Sequence, residues 1–170
     1  METSAPAAPA APAAPAAPAA PAVAVVGEDA LAAVHAVRRE VFVVEQGVPE
    51  EEEWDSYDAG AVHLLATGPD GPVGTARLLH GGVARAKYGL PAGVAALGRV
   101  AVRAAARGTG LGAALVRAAE EQARLLGATG VYLEAQVHAV PFYARLGYTA
   151  FGQEFDDGSG IMHRAMRRGL

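Results

Sequence analysis

One stretch of seven residues, Arg107-Gly108-Thr109-Gly110-Leu111-Gly112-Ala113, carries the strongest chemical signal in the chain. Glycines between a strand and a helix let the backbone approach a ligand closely, and the unpaired N–H groups of a helix start favour an anion. Arg107 adds a permanent positive charge, and Arg99 and Arg103 lie just upstream. The chemistry that follows is recognition of a phosphate-bearing ligand. Two further residues carry groups that can do chemistry. Tyr143 offers a phenol on a short helical segment, and Glu134 offers a carboxylate on the strand that follows the glycine helix. His138, His63 and Glu45 are other candidate proton acceptors, and the residues alone do not choose among them.

These groups must be positioned by elements that the pattern of apolar residues predicts. Val23–Val26 reads as a strand. Leu31, Val34, Val37, Val41 and Phe42 recur at helical spacing, which predicts one helix over 30–43. Strands follow at Val62–Thr67 and Val73–Leu79, joined by the turn Pro69-Asp70-Gly71. Residues 80–95 are glycine-rich and aperiodic and read as a loop, with room for a short extra element. Leu97–Val102 is the next strand. The helix over 110–126 takes Leu111, Ala114, Leu115, Ala118, Leu125 and Leu126 as its apolar face, with Glu120 and Arg124 as an i,i+4 pair on the other. Val131–Gln136 is a strand, Ala139–Leu146 a helix, and Thr149–Phe155 with Ile161–Arg167 a last hairpin. The strand–helix–strand unit over 97–136 demands a parallel pair, and hairpins flank it. The fold class is α+β, a single mixed and mostly antiparallel sheet flanked by helices.

The remaining residues bound the function. Residues 5–22 consist of 12 Ala and 6 Pro, with Pro at every third position. Proline lacks an N–H and fixes φ, so residues 1–22 are expected to be a disordered or polyproline-II-like arm, and 23–170 the folded domain. There is no cysteine, which removes disulfides, thiolate metal sites and thiol catalysis and suits a cytoplasmic location. The five histidines are too scattered for a helical ligand pair, so no metal is expected. The formal net charge is -4, which argues against nucleic acid as the main partner. No apolar run of the length a membrane requires occurs, so no membrane partner is expected.

Three kinds of phosphate binder compete for the glycine stretch. A P-loop ends in Gly-Lys-Ser/Thr, which is missing. Gly108, Gly110 and Ala113 satisfy the dinucleotide pattern G-x-G-x-x-G/A. In that turn, however, the first glycine follows the strand directly, whereas here Arg103–Arg107 intervene. A Rossmann-type oxidoreductase is therefore the weaker reading. In its third form, Arg107-Gly108-Thr109-Gly110-Leu111-Gly112 resembles the Gln/Arg-x-x-Gly-x-Gly/Ala signature of the GCN5-related N-acetyltransferase (GNAT) superfamily. Phe142-Tyr143-Ala144-Arg145-Leu146-Gly147-Tyr148 resembles its second signature. Arg38 to Pro49, Asp55, Asp58 and Glu134-Ala135-Gln136-Val137-His138 are similar to its ElaA/YjcF-like branch, although many superfamily members have Asn where this chain has Gln136.

The resemblance implies an N-acetyltransferase that moves the acetyl group of acetyl-CoA to a primary amine in a ternary complex. It implies that the amides of Arg107, Gly108, Thr109, Gly110, Leu111, Gly112 and Ala113 hold the pyrophosphate. The pantetheine arm is expected along Val100, Ala101 and Val102, where parallel strands splay, with a backbone N–H near Val102 on the oxyanion. Tyr143 is the expected acid for the departing thiolate. The acidic run Glu50–Glu53 reads either as a solvated surface or as an attractor for a cationic amine. Arg77 and Arg99 read as ion-paired residues or as ligand contacts, and Trp54 as a core or lid aromatic. Sheet-edge homodimers are common in the family. A non-catalytic acyl-CoA-binding or protein-interaction module is the alternative from another class.

Overall fold

The computed structural model describes residues 20–170. Most of the expected proline–alanine arm therefore lies outside the described residues. Seven strands form one sheet in the order β1-β2-β3-β4-β5-β7-β6. They are β1 (Ala22–Val26), β2 (Val62–Gly68), β3 (Gly71–Leu79), β4 (Val94–Val102), β5 (Gly130–Gln136), β6 (Thr149–Asp156) and β7 (Met162–Gly169). Only β4 and β5 pair in parallel; all other neighbours are antiparallel. The expected fold class holds, and a doubly wound dinucleotide fold does not.

The helices are α1 (Leu31–Arg38), α2 (Glu50–Glu53), α3 (Gly81–Tyr88), α4 (Leu111–Leu125) and α5 (Val140–Arg145). The single helix expected over 30–43 is composite. Glu28–Ala30 form a 3-10 turn, α1 follows, and Arg39–Glu45 continue as a π-helix. Widening the turn lets Val37, Val41 and Phe42 stay on one buried stripe beside Val48 and Ala101. The presumed loop after β3 holds α3, which buries Ala84 against Leu79 and Ala96 and stops at Gly89, whose φ of 66° is left-handed.

The main core lies between the sheet and α4 with α5. The buried face of α4 is Leu111, Leu115, Val116, Ala119 and Ala123. Leu125 and Leu126, expected on that face, are exposed, because the helix ends there and Gly127 turns the chain away. The Glu120–Arg124 pair is also absent. Glu120 is buried, accepts from Tyr148 Oη at 3.0 Å and pairs with Arg168 at 2.8 Å, while Arg124 reaches Glu121. Gly74 lets α4 approach β3, since a Cβ there would stand 3.0 Å from Leu115 Cδ1 and 3.1 Å from the Ala101 carbonyl.

Candidate active site

Parallel pairing of β4 with β5 runs from Val94–Gly130 to Leu97–Leu133 and then stops. Beyond that point the two strands part. The cause lies partly in β4. Between the pairs Thr75–Ala101 and Arg77–Gly98, two residues of β4 oppose one of β3, which is a bulge. Arg99 inside it has φ 51°, the one left-handed non-glycine residue among those described. Such a conformation is held only when its surroundings over-determine it. Here the Arg99 guanidinium is anchored to Glu53 at 3.0 Å and to the Glu53 carbonyl at 3.3 Å. The divergence opens a cleft of about 620 Å³. Val100, Ala101, Val102, Arg107, Glu134, Gln136, His138 and Tyr143 all line it.

Gly108 to Ala113 do not themselves line the cleft; Arg107, which does, leads through Gly108 and Thr109 to the start of α4. Gly110 is its N-cap with φ 84°, Gly108 has φ 74°, and no side chain caps the helix. The first intrahelical bond is Ala114 N–H to the Gly110 carbonyl, so the amides of Leu111, Gly112 and Ala113 have no helical partner. A Cβ on Gly108 or Gly110 would meet nothing within 4 Å, so the approach to these amides is open. The donor set and the open approach fit a diphosphate. The Arg107 side chain, expected to supply charge there, is engaged elsewhere. It grips Glu45 through two bonds of 2.5 and 2.7 Å and donates to the Val102 carbonyl at 2.9 Å. Arg107 thus ties the end of β4 to the π-helix, and Glu45 is its counter-ion.

Tyr143 projects from α5 between Phe142 and Tyr148, with ring centroids 4.9 and 5.9 Å away. Gly147, with φ 94°, ends the segment and lets Tyr148 N–H return to the Tyr143 carbonyl at 3.1 Å. Tyr143 is 9% exposed and lines the cleft. Burial pushes its phenol well above the ordinary tyrosine range, so it stays protonated.

The other end of the cleft is built from side chains far apart in sequence. Glu134 accepts the Tyr132 hydroxyl at 2.7 Å, and burial together with that carboxylate raises the Tyr132 phenol. Gln46 and Gln136 exchange amide bonds of 3.2 and 2.8 Å, joining the end of the π-helix to the end of β5. Behind this wall lies a charged cluster. Arg38, 0% exposed, binds Glu53 and Asp58; Arg77, 2% exposed, binds Asp55 and Asp58; Lys87 adds a bond of 2.9 Å to Asp55. Burial works to raise the Asp55 carboxyl, but hydrogen bonds from Arg77 and Lys87 hold it well below the usual range. Asp58 is lowered likewise: burial opposes, and Arg38 and Arg77 prevail.

This cluster decides several expectations. Arg77 and Arg99 are ion-paired. Glu50, Glu51 and Glu52 are exposed, but Glu53 is 2% exposed and structural. His63 is buried and its Nε2–H donates to the Asp58 carbonyl at 2.9 Å, away from the cleft lining. Trp54 lines the cleft and packs on His35 and Arg38. Sequence reasoning missed Gln46, the Arg99 bulge and His163, which is buried and lines the cleft. The available signal was Arg77, a lone charge within a largely apolar strand.

The Acetyltransferase (GNAT) family matches residues 31–148. The chain belongs to the GNAT acetyltransferase family. The Bacillus subtilis protein described as the uncharacterized N-acetyltransferase YjcF is 34% identical to this GNAT protein over 141 residues, covering 83% of this chain and 94% of its own length. An acyl-CoA N-acyltransferase from Pseudomonas aeruginosa is 33% identical, with a TM-score of 0.73 over 87% of this chain and 99% of that one. Escherichia coli ElaA is 27% identical, with the same TM-score and coverage. The resemblance to the ElaA/YjcF-like branch is thereby borne out. No helix among the described residues is long and apolar enough to cross a membrane.

Proposed function

We propose that this GNAT protein transfers the acetyl group of acetyl-CoA to a primary amine within a ternary complex. One observation supports the reading: β4 parts from β5 to open the cleft, and Arg107, which lines it, leads through Gly108 and Thr109 to the uncapped start of α4. A diphosphate takes the amides from Gly108 to Ala113. The thioester arm runs along Val100 to Val102, whose β5-side edge has no strand partner. A backbone N–H there stabilises the oxyanion of the tetrahedral intermediate.

Glu134, fixed by Tyr132, draws the ammonium form of the acceptor and orients it. Tyr143 faces the departing sulfur. At reference values a phenol of about 10 protonates a thiolate of about 8.5 at a cost of about 2 kcal/mol, and burial increases that cost. Tyr143 therefore acts as a hydrogen-bond donor to the developing thiolate rather than as a strong acid. The groups named here require no metal.

Free-thiol release from acetyl-CoA with a panel of primary amines tests the function. Amine-dependent release is expected. Tight CoA binding without release for any amine identifies a non-catalytic binder instead. Binding of NAD(P) in place of CoA contradicts both.

A further inference from the structure

His163 takes no part in the transfer steps above, yet its surroundings are those of a base. It lies on β7 opposite Gln136 of β5 and Phe155 of β6. Residues alternate between the faces of a strand, so His163 shares its face with Gln136 and with Glu134, which stands opposite the small Ala165. The side chain is 7% exposed and lines the cleft. Ile161, two residues before it, packs against the group containing Val41, Phe42 and Ala101, so the β6–β7 turn is folded over the cleft.

The ring's tautomer can be read from its partner. Nδ1 lies 2.7 Å from the Ile161 carbonyl, which can only accept, so Nδ1 carries the hydrogen. The lone pair of the neutral ring is then on Nε2. No protein group among the described residues bonds Nε2, and it is not sealed from the cleft. Asp157 Oδ1 stands 3.6 Å from Nδ1. Burial works to raise the Asp157 carboxyl, but bonds from Ser159, the charge of Arg99 and, once the ring is protonated, that of His163 keep it low, so it is an anion beside the ring. The other charged groups toward this corner are Glu52 from α2, Glu134 from β5 and Arg99 from β4. Glu52 Oε2 is 3.6 Å from where a Cβ on Gly158 would stand.

We infer that His163 Nε2 takes the proton from the acceptor ammonium, with Asp157 as the positioning residue that steadies the imidazolium. This rests on the transfer reading above. Glu134 already accepts from Tyr132, whereas His163 Nε2 bonds no protein group among the described residues. The step balances as follows. R–NH3+ gives one proton to Nε2 and the free amine attacks the acetyl carbonyl, forming the C–N bond. The tetrahedral intermediate collapses, the C–S bond breaks, and the second nitrogen proton passes to the thiolate at the Tyr143 side. The imidazolium returns its proton to solvent.

His163→Gln keeps a polar side chain but removes the base. With the amine that releases thiol fastest, kcat/KM of the variant should fall about a hundredfold at pH 7, within the usual range for a lost general base. It should recover steadily as rising pH deprotonates the amine in solution, while CoA affinity stays within about twofold of the parent. Asp157→Asn should give a smaller loss and move the acidic limb of the profile to lower pH. A deficit of equal size at every pH would mark His163 as merely structural and overturn the inference. Imidazole 15N spectra of the full-length protein with CoA bound give a second readout, independent of turnover. The neutral ring is expected to carry its hydrogen on Nδ1, and an Nε2–H tautomer contradicts the proton step. If the wild type releases no thiol with any amine, the transfer reading fails and the proton step with it. If the wild type turns over and His163→Gln matches it, only this inference fails.

Discussion

The two ends of the cleft are made of different material. The end at the start of α4 is main chain: three amides without helical partners, framed by Gly108 and Gly110 in left-handed conformations. The region behind the opposite wall is side chain: Arg38, Glu53, Asp55, Asp58, Arg77, Lys87 and Arg99, drawn from six separate segments. A main-chain site depends on backbone conformation and tolerates changes in neighbouring side chains. A side-chain site depends on each partner, because any charge left alone in a buried place is costly. Substitutions at the two ends should therefore fail in different ways, one in binding and the other in folding.

The largest effect is expected at the charged end. Arg77→Met leaves Asp55 and Asp58 without their shared buried partner and should cost about 3–5 kcal/mol. Denaturant unfolding checks it, and a loss below about 1 kcal/mol would mean that the cluster is solvated after all. Next comes Tyr143→Phe, which should lower turnover about tenfold to a hundredfold and leave CoA affinity almost unchanged. Full activity in that variant removes the phenol from the chemistry. At the main-chain end, Gly110→Ala forces an L side chain to φ 84° and should cost about 1–2 kcal/mol in stability, with weaker CoA binding. Calorimetry and thermal melts separate the two losses.

Acid sharpens the contrast further. Asp55 and Asp58 are held low by their arginine partners, so the folded state binds fewer protons than the unfolded one. Their stabilisation is present above an unfolded value of about 3.9 and is lost as pH falls below it. The urea midpoint should drop below about pH 4, and Asp58→Asn should flatten that drop. The smallest effect is at Glu45→Gln, which frees the half-exposed Arg107. Such exposed pairs contribute little, so the CoA dissociation constant should move by less than about fivefold.

The same division explains what could be read from the chain alone. Gly108, Gly110 and Ala113 announce a backbone site because spacing is their whole content, and all seven strands followed from alternation and turn residues. The π-helix after Arg38 was hidden, since Val41 and Phe42 fit an α-helical stripe equally well. The helix over Gly81–Tyr88 was hidden behind two glycines that suggest a loop. Glu120 was assigned to Arg124 by local spacing, whereas its partner Arg168 lies 48 residues away. Local rules do not see such pairs. Gln46 and Gln136, 90 residues apart, owe their geometry to the tertiary fold, as does the pairing of His163 with Gln136 across β7 and β5.

The central claim is that the start of α4 holds the diphosphate of the acyl donor. Parallel calorimetric titrations with CoA and with pantetheine, which lacks the diphosphate and the 3′-phosphoadenosine, test it most directly. Adenosine 3′-phosphate, run beside them, also lacks the diphosphate and should bind no better than pantetheine. CoA should bind with one site per chain, and pantetheine at least about a hundredfold more weakly, because each charge-assisted bond lost contributes about 1.5–3 kcal/mol. Equal affinity for the two, or no heat with CoA, would contradict the account.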